Sequence, residues 1–321
     1  MPLSVILLIS ITAFTHSGWN LLCKSRTPSA AFFLIVVACA VVLLSPVYFF
    51  ERETLMLLDR NVWLLILCTG IVQTIYYICL ANAYRLAEMS IAYPITRSLP
   101  VLIIPMVTAI LNLGRELTYV AIYGMVLIFC GCVFLPLPHF RKLFRLWEYC
   151  NWGLLFVFAA ACCTVGYTII DNEALKAIGE LKLEHLAAVL DATGGTDVPA
   201  AKEPSSFLTA LLYMALEFSA IGIFLSLYVF LFKPERKALR TIAGQSFTYP
   251  IAAGAMSAFD YTLILTAMTM VPNVSYVAAF RQLSIPVGAI MGMVFLKESH
   301  AAPKLVGLAL IVTGLVMVAC G

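Results

Sequence analysis

The chain has 321 residues, of which 62% are hydrophobic and 12% charged, whereas a soluble domain is about half apolar and about a quarter charged. The net charge of +3 says little about partners, because most charges sit in turns, and no feature points to nucleic acid. The apolar residues come in continuous blocks of about 20, the length that crosses a bilayer as a helix, and runs such as Leu154–Ala161 lack the alternation of a transmembrane β-barrel.

Ten spans are predicted, at about 3–23, 28–50, 61–84, 90–113, 117–137, 152–175, 206–232, 247–270, 273–296 and 301–320. The first opens on MPLSVILLIS, without the basic region of a cleaved leader, and is expected to stay as a helix. His16, Asn20 and Lys24 follow at i, i+4 and i+8, one polar stripe on a helix, with Trp19 beside it. Lys24, near the end, is expected to snorkel to the interface. His16 lies deeper, where a histidine either takes part in transport or bonds a carbonyl. In the third span Gln73, Tyr76, Tyr77 and Tyr84 are candidates for lining a cavity.

The fourth span contains AYPITRSLP, residues 92–100, with Tyr93 and with Arg97 between Pro94 and Pro100; Pro105 follows. Proline removes a donor and frees a carbonyl, which lipid tolerates only where the backbone lines protein or a watery cavity. An ionised arginine at a helix centre costs about 2.5–3.5 kcal/mol on insertion scales and marks a pathway by default. A broken, charged helix is therefore expected here. The fifth span follows Glu116 and leads into a basic connector, 141–151. After the sixth span a polar loop is expected over 176–205, with Gly194-Gly195, Pro199 and Pro204, holding at most a short amphipathic helix near Leu181–Leu190. Glu217 falls in the seventh span, Asp260 in the eighth, and Arg281 with Pro286 in the ninth. Each acid either neutralises an arginine or takes up a proton that couples transport, and Asp260 is favoured because it adjoins Tyr261. Glu116 and Glu298 read as carboxylates at helix N-termini.

The halves repeat. Gly124 and Gly131 match Gly307 and Gly314, while Gly70, Tyr77, Ala83, Arg97 and Leu99 match Gly254, Tyr261, Ala267, Arg281 and Leu283 at one constant offset. Gly18-Trp19 parallels Gly166-Tyr167. The chain thus divides into a five-helix repeat over 1–140, the connector, and a second repeat over 152–321. Five is odd, so the repeats are inverted, an arrangement that puts a substrate site near the midplane. Two symmetry-related guanidiniums favour an anion held bidentately, a carboxylate, phosphate or phosphonate.

HSGWNLLCKS, AYRLAEMSIAYPITRSLPVLIIP and VPNVSYVAAFRQLSIPVGAIMGMVFLKES, with the glycine pairs that follow, resemble the EamA type of the drug/metabolite transporter superfamily. The YPxxR and RQLS elements look like the branch found beside phosphonate-utilisation genes. The resemblance implies an all-α integral membrane protein of ten transmembrane helices in two inverted EamA-like repeats. It implies a secondary transporter of the inner or plasma membrane, a monomer or homodimer among membrane lipids.

Together the residues predict alternating access for a small organic anion or zwitterion, with exchange or proton coupling. The expected substrate contacts are Arg97, Arg281, Tyr77, Tyr261, Trp19, Asn20, Gln73 and Tyr93. Asp260, Glu217 and His16 are the proton candidates. No catalytic residue, metal site or cofactor is expected, since nucleophile-elbow, HExxH, Walker and dinucleotide signatures are absent. The ten scattered cysteines read as small apolar residues. The rival readings are an embedded enzyme, with Asp260 and His16 as acid and base on a phosphate-bearing lipid headgroup, and a non-transporting membrane partner or sensor. Loops after odd-numbered spans hold twelve arginines and lysines against six elsewhere, which places both termini outside the cytoplasm. The resembled family more often has them inside, so orientation stays open.

Overall fold

The computed structural model describes residues 1–24, 29–86, 89–135, 137, 139–140, 152–192, 205–244, 248–295 and 301–321. For 17–24, 84, 89–95, 192, 243, 249, 291–292 and 294–295 it describes the backbone alone. The first half contains α1 (Leu3–Lys24), α2 (Ala30–Leu44), short α3 (Val47–Phe50) and α4 (Arg52–Leu57), α5 (Arg60–Leu86), α6 (Met89–Ile110) and α7 (Tyr119–Phe134). The second contains α8 (Trp152–Ala192), α9 (Ser206–Leu231), α10 (Lys233–Ala243), α11 (Thr248–Thr269), α12 (Val274–Phe280), a 3-10 turn (Arg281–Leu283), α13 (Ser284–Phe295) and α14 (Ala302–Cys320). Among the described residues all regular structure is helical, as it must be where lipid offers the backbone no hydrogen bonds. Six stretches there are long and apolar enough to cross a membrane, and four shorter apolar helices accompany them.

The bundle is apolar outside and polar inside. Ile110, Ile223, Leu227 and Val316 are exposed, while Thr69, Thr168, Asp171 and Glu217 are fully buried. Water-soluble proteins almost never bury such acids unpaired. This arrangement suits a molecule whose surface meets lipid and whose polar groups face its interior.

Helix starts follow ordinary capping chemistry. Ser29 Oγ accepts from Phe32 N at 3.1 Å and opens α2. Asn273 Oδ1 accepts from Ser275 N at 2.9 Å and opens α12. At α7 the cap is Thr118, which accepts from Ala121 N at 3.2 Å. Glu116 is exposed two residues upstream, so the capping role expected of it belongs to the threonine. Glu298 lies outside the described residues.

Two glycine seams run between the halves. A Cβ on Gly124 of α7 would stand 2.7 Å from the Gly314 carbonyl oxygen of α14, and one on Gly131 would stand 2.6 Å from that of Gly307. Only the missing side chains let these backbones touch. Other contacts exchange between halves in the same way. Gly70 of α5 abuts Ala220 of α9, and its counterpart Gly254 of α11 abuts the Val36 carbonyl of α2. α1 packs on α11 as α8 packs on α5, and α6 packs on α8 as α13 packs on α1.

Two expectations are corrected here. Residues 176–192 are not loop but the continuation of α8, a single helix of 41 residues. At 1.5 Å per residue it spans about 60 Å, twice a bilayer core. The stretch is polar but rich in Glu, Leu, Lys and Ala, all good helix formers, and its turn residues begin only at Gly194. Lys182 anchors the extension by reaching Glu51 at 3.1 Å and the Thr209 hydroxyl at 3.1 Å. The remainder of the expected loop, 193–204, and the connector 141–151 lie outside the described residues.

The second correction concerns the prolines. α6 runs unbroken through Pro94, Pro100 and Pro105, whereas the ninth span does break, into α12, the 3-10 turn at Arg281 and α13. Pro286 has no N–H to offer the Gln282 carbonyl, so the α-pattern cannot close there. Ser284 Oγ donates to the Arg281 carbonyl at 3.0 Å within that break.

Candidate substrate site

The interior polar side chains form two networks around one small cavity. The first joins α6, α1 and α11. Arg97 donates to His16 Nε2, and His16 Nδ1 lies 3.0 Å from Asp260 Oδ2. A guanidinium has no acceptor, so Nε2 must accept, and Nδ1 is the nitrogen that carries hydrogen and donates to Asp260. Thr15 Oγ1 donates to the other Asp260 oxygen at 3.1 Å. Both carboxylate oxygens of Asp260 are therefore engaged.

The second network gathers α5, α8, α9 and α11 around Asp171. Its Oδ1 accepts from Thr69 Oγ1 at 2.6 Å and Tyr213 OH at 2.7 Å, and its Oδ2 accepts from Tyr261 OH at 2.6 Å. Next to it Gln73 Nε2 donates to Glu217 Oε1, and Glu217 Oε2 is buried with no hydrogen-bond partner. Tyr261 turns its ring beneath Arg281, whose guanidinium carbon is 5.5 Å from the ring centre.

The cavity is lined by Thr96, Arg97, Pro100 and Ile104 of α6, Thr164 and Thr168 of α8, Ala278 of α12, and Arg281 with Gln282 of the 3-10 turn. Its volume is ≈ 10 Å³, about enough for a single water. As it stands that volume holds no metabolite. The Arg281 side chain makes no hydrogen bond or ion pair with the described residues. Thr168 Oγ1 and Gln282 Oε1 are buried without a partner.

The expected site residues thus divide. Arg97 and Arg281 face one cavity, Tyr261 and Gln73 hold its supporting networks, and His16, Asp260 and Glu217 join those networks. Tyr77 does not line the cavity; its ring packs on Phe33 at 4.9 Å and Tyr76 at 5.4 Å. The side chains of Trp19, Asn20, Lys24, Tyr84 and Tyr93 lie outside the described residues. Asp171, Tyr213, Thr168 and Gln282 were not anticipated. Asp171 stands near the end of the sixth expected span, beside Asn172, Glu173 and Lys176, where a charge draws no notice. Among the described residues no cluster of acids, histidines and cysteines suits a metal ion.

Six helices long and apolar enough to cross a membrane, with acids and hydroxyls buried among them, make this a multi-pass membrane protein. Residues 3–137 match the model of the EamA-like transporter family. That match covers 135 of the 321 residues, less than half of the chain, and says what this segment is similar to. A solved structure, titled only as the crystal structure of a protein, superimposes with a TM-score of 0.62 at 14% identity, covering 99% of this chain and 98% of its own. That likeness concerns the fold alone. Comparison with curated proteins returns no match.

Proposed function

We propose that this protein is a secondary transporter of the cell membrane that carries a small organic anion or zwitterion by alternating access. The likeness of residues 3–137 to the EamA-like transporter family supports a membrane transporter of the drug/metabolite type; the substrate class and mechanism are our reading. The observation that carries it is Arg281. This guanidinium lines a buried cavity together with Arg97, yet it bonds no described residue. An arginine kept inside a membrane bundle is costly unless something answers its charge, and its planar fork matches a carboxylate, phosphate or phosphonate. The likeness of YPxxR and RQLS to the phosphonate-associated branch makes phosphonates a natural part of the trial panel.

The exchanged contacts between halves support two inverted five-helix repeats across ten spans. In such a pair, residue i of one half meets j of the other and j meets i, as Gly124, Gly131, Gly307 and Gly314 do. The closed cavity opens when one repeat rocks against the other. Proton coupling fits Glu217 better than Asp260. Asp260 has both oxygens engaged, whereas Glu217 has a bare, buried oxygen beside Asp171.

The test is thermal unfolding of the detergent-purified protein against small carboxylates, phosphates, phosphonates, amino acids and cations. A ligand specific to the folded state raises the melting temperature by mass action. Stabilisation by anions, weakened about 10- to 100-fold in apparent affinity by Arg281→Ala and Arg97→Ala, is expected for lost charged hydrogen bonds. Stabilisation by cations alone, or anion effects that both variants retain, rejects the reading.

A further inference from the structure

The cavity contains a group that no simple anion satisfies. Gln282 lies at its wall, is 4% exposed, and has its amide orientation fixed, because Nε2 donates to the Ala278 carbonyl at 3.1 Å. The oxygen that remains, Oε1, has no partner. An amide oxygen only accepts, so it pairs with an N–H or O–H and is repelled by a carboxylate or phosphonate oxygen. Arg281, the adjacent residue, does not satisfy it either, for its guanidinium rests over Tyr261. Thr168 Oγ1, also without a partner on the facing helix, can serve as donor or acceptor to the same ligand.

Resting on the anion reading above, we infer that Gln282 is a specificity-determining residue, and that the substrate is an anion bearing a hydroxyl or ammonium donor close to its acid group. The guanidiniums of Arg97 and Arg281 take the anionic oxygens, and Gln282 Oε1 takes the donor. The small cavity brings all three to one place, so donor and acid group must be near neighbours on the ligand. A site with a buried group built to bond a substrate OH or NH rejects the analogue that lacks it far more strongly than a merely apolar pocket rejects a misfit.

Matched ligands test this on the full-length protein in detergent by thermal unfolding: propionate against lactate and alanine, and, at alkaline pH where the phosphonates have lost their second proton, methylphosphonate against aminomethylphosphonate. The donor-bearing member of a pair is expected to bind at least about ten-fold more tightly, and Gln282→Leu to narrow that gap to about two-fold. Equal binding within the pairs, or a gap that survives Gln282→Leu, overturns the inference while leaving the anion site standing. Binding by none of these anions overturns both together. Should Gln282→Leu fail to fold, Gln282→Asn, which withdraws the oxygen by one methylene, serves in its place, and the wild-type pairs already decide the ligand chemistry.

Discussion

Arg281 stacks on Tyr261, with 5.5 Å between its guanidinium carbon and the ring centre, and the same tyrosine donates its hydroxyl to Asp171 at 2.6 Å. One aromatic ring therefore stands between a half-buried cation and a buried acid. A cation–π contact contributes about 0.5–2 kcal/mol, less than a desolvated bidentate ion pair. It steadies the guanidinium and leaves its N–H groups free, which is what a reusable anion clamp needs. Arg97 is held differently, through His16 to Asp260.

Tyr261→Phe keeps the ring under Arg281 and removes one donor from Asp171. It is expected to lower stability by about 1–3 kcal/mol with anion affinity changed little. Tyr261→Leu also removes the π face and is expected to weaken anion binding further. Chemical unfolding together with ligand-dependent melting separates the two effects.

Arg97, His16 and Asp260 should act as a unit. Arg97→Gln and Asp260→Asn combined in a double-mutant cycle are expected to show a coupling of about 0.5–3 kcal/mol. Additivity would mean that the chain through His16 transmits nothing.

Uptake into vesicles should rise as the side from which substrate enters is acidified, if a proton accompanies the anion. Glu217→Gln is expected to flatten that dependence while sparing exchange of substrate for substrate. The groups facing Glu217 are Gln73, Asp171, Tyr213, Tyr261 and Arg281. Asp171→Asn therefore serves as a control for altered surroundings. Flattening by Asp260→Asn but not by Glu217→Gln would move the coupling role to the first network.

The glycine seam predicts a steric failure. Gly131→Val would push a branched side chain at the Gly307 carbonyl, where a Cβ alone already stands 2.6 Å away. The expected loss is about 1–3 kcal/mol or more, read as a lower melting temperature and a broadened size-exclusion peak. Gly179→Ala, whose Cβ meets nothing within 4 Å, should behave like the wild type or better.

The sequence carried the helical class, the apolar spans and the two arginines, because length, hydropathy and a charge in an apolar run are local properties. Glycine spacing marked the repeat, but that these glycines meet each other in the α7–α14 seam came only from the fold. The polar partners were harder to read. Thr69, Tyr213 and Thr168 look unremarkable in any membrane helix, and only the fold brings the first two onto Asp171. Tyr77 shared the repeat position of Tyr261 yet packs among aromatics, since a repeat fixes a backbone place and not the neighbours across it. The α8 extension was misread because polarity was taken for loop, although its residues favour helix.

The outer half of α8 has one more consequence. It continues the part of α8 that carries Thr168 and Asp171, and it projects about 30 Å beyond the bilayer core. A tilt of about 10° at its root would sweep its tip through about 5 Å along that length. On the alternating-access reading, a probe at open Gly179 would act as a pointer outside the membrane for motion of the cavity wall.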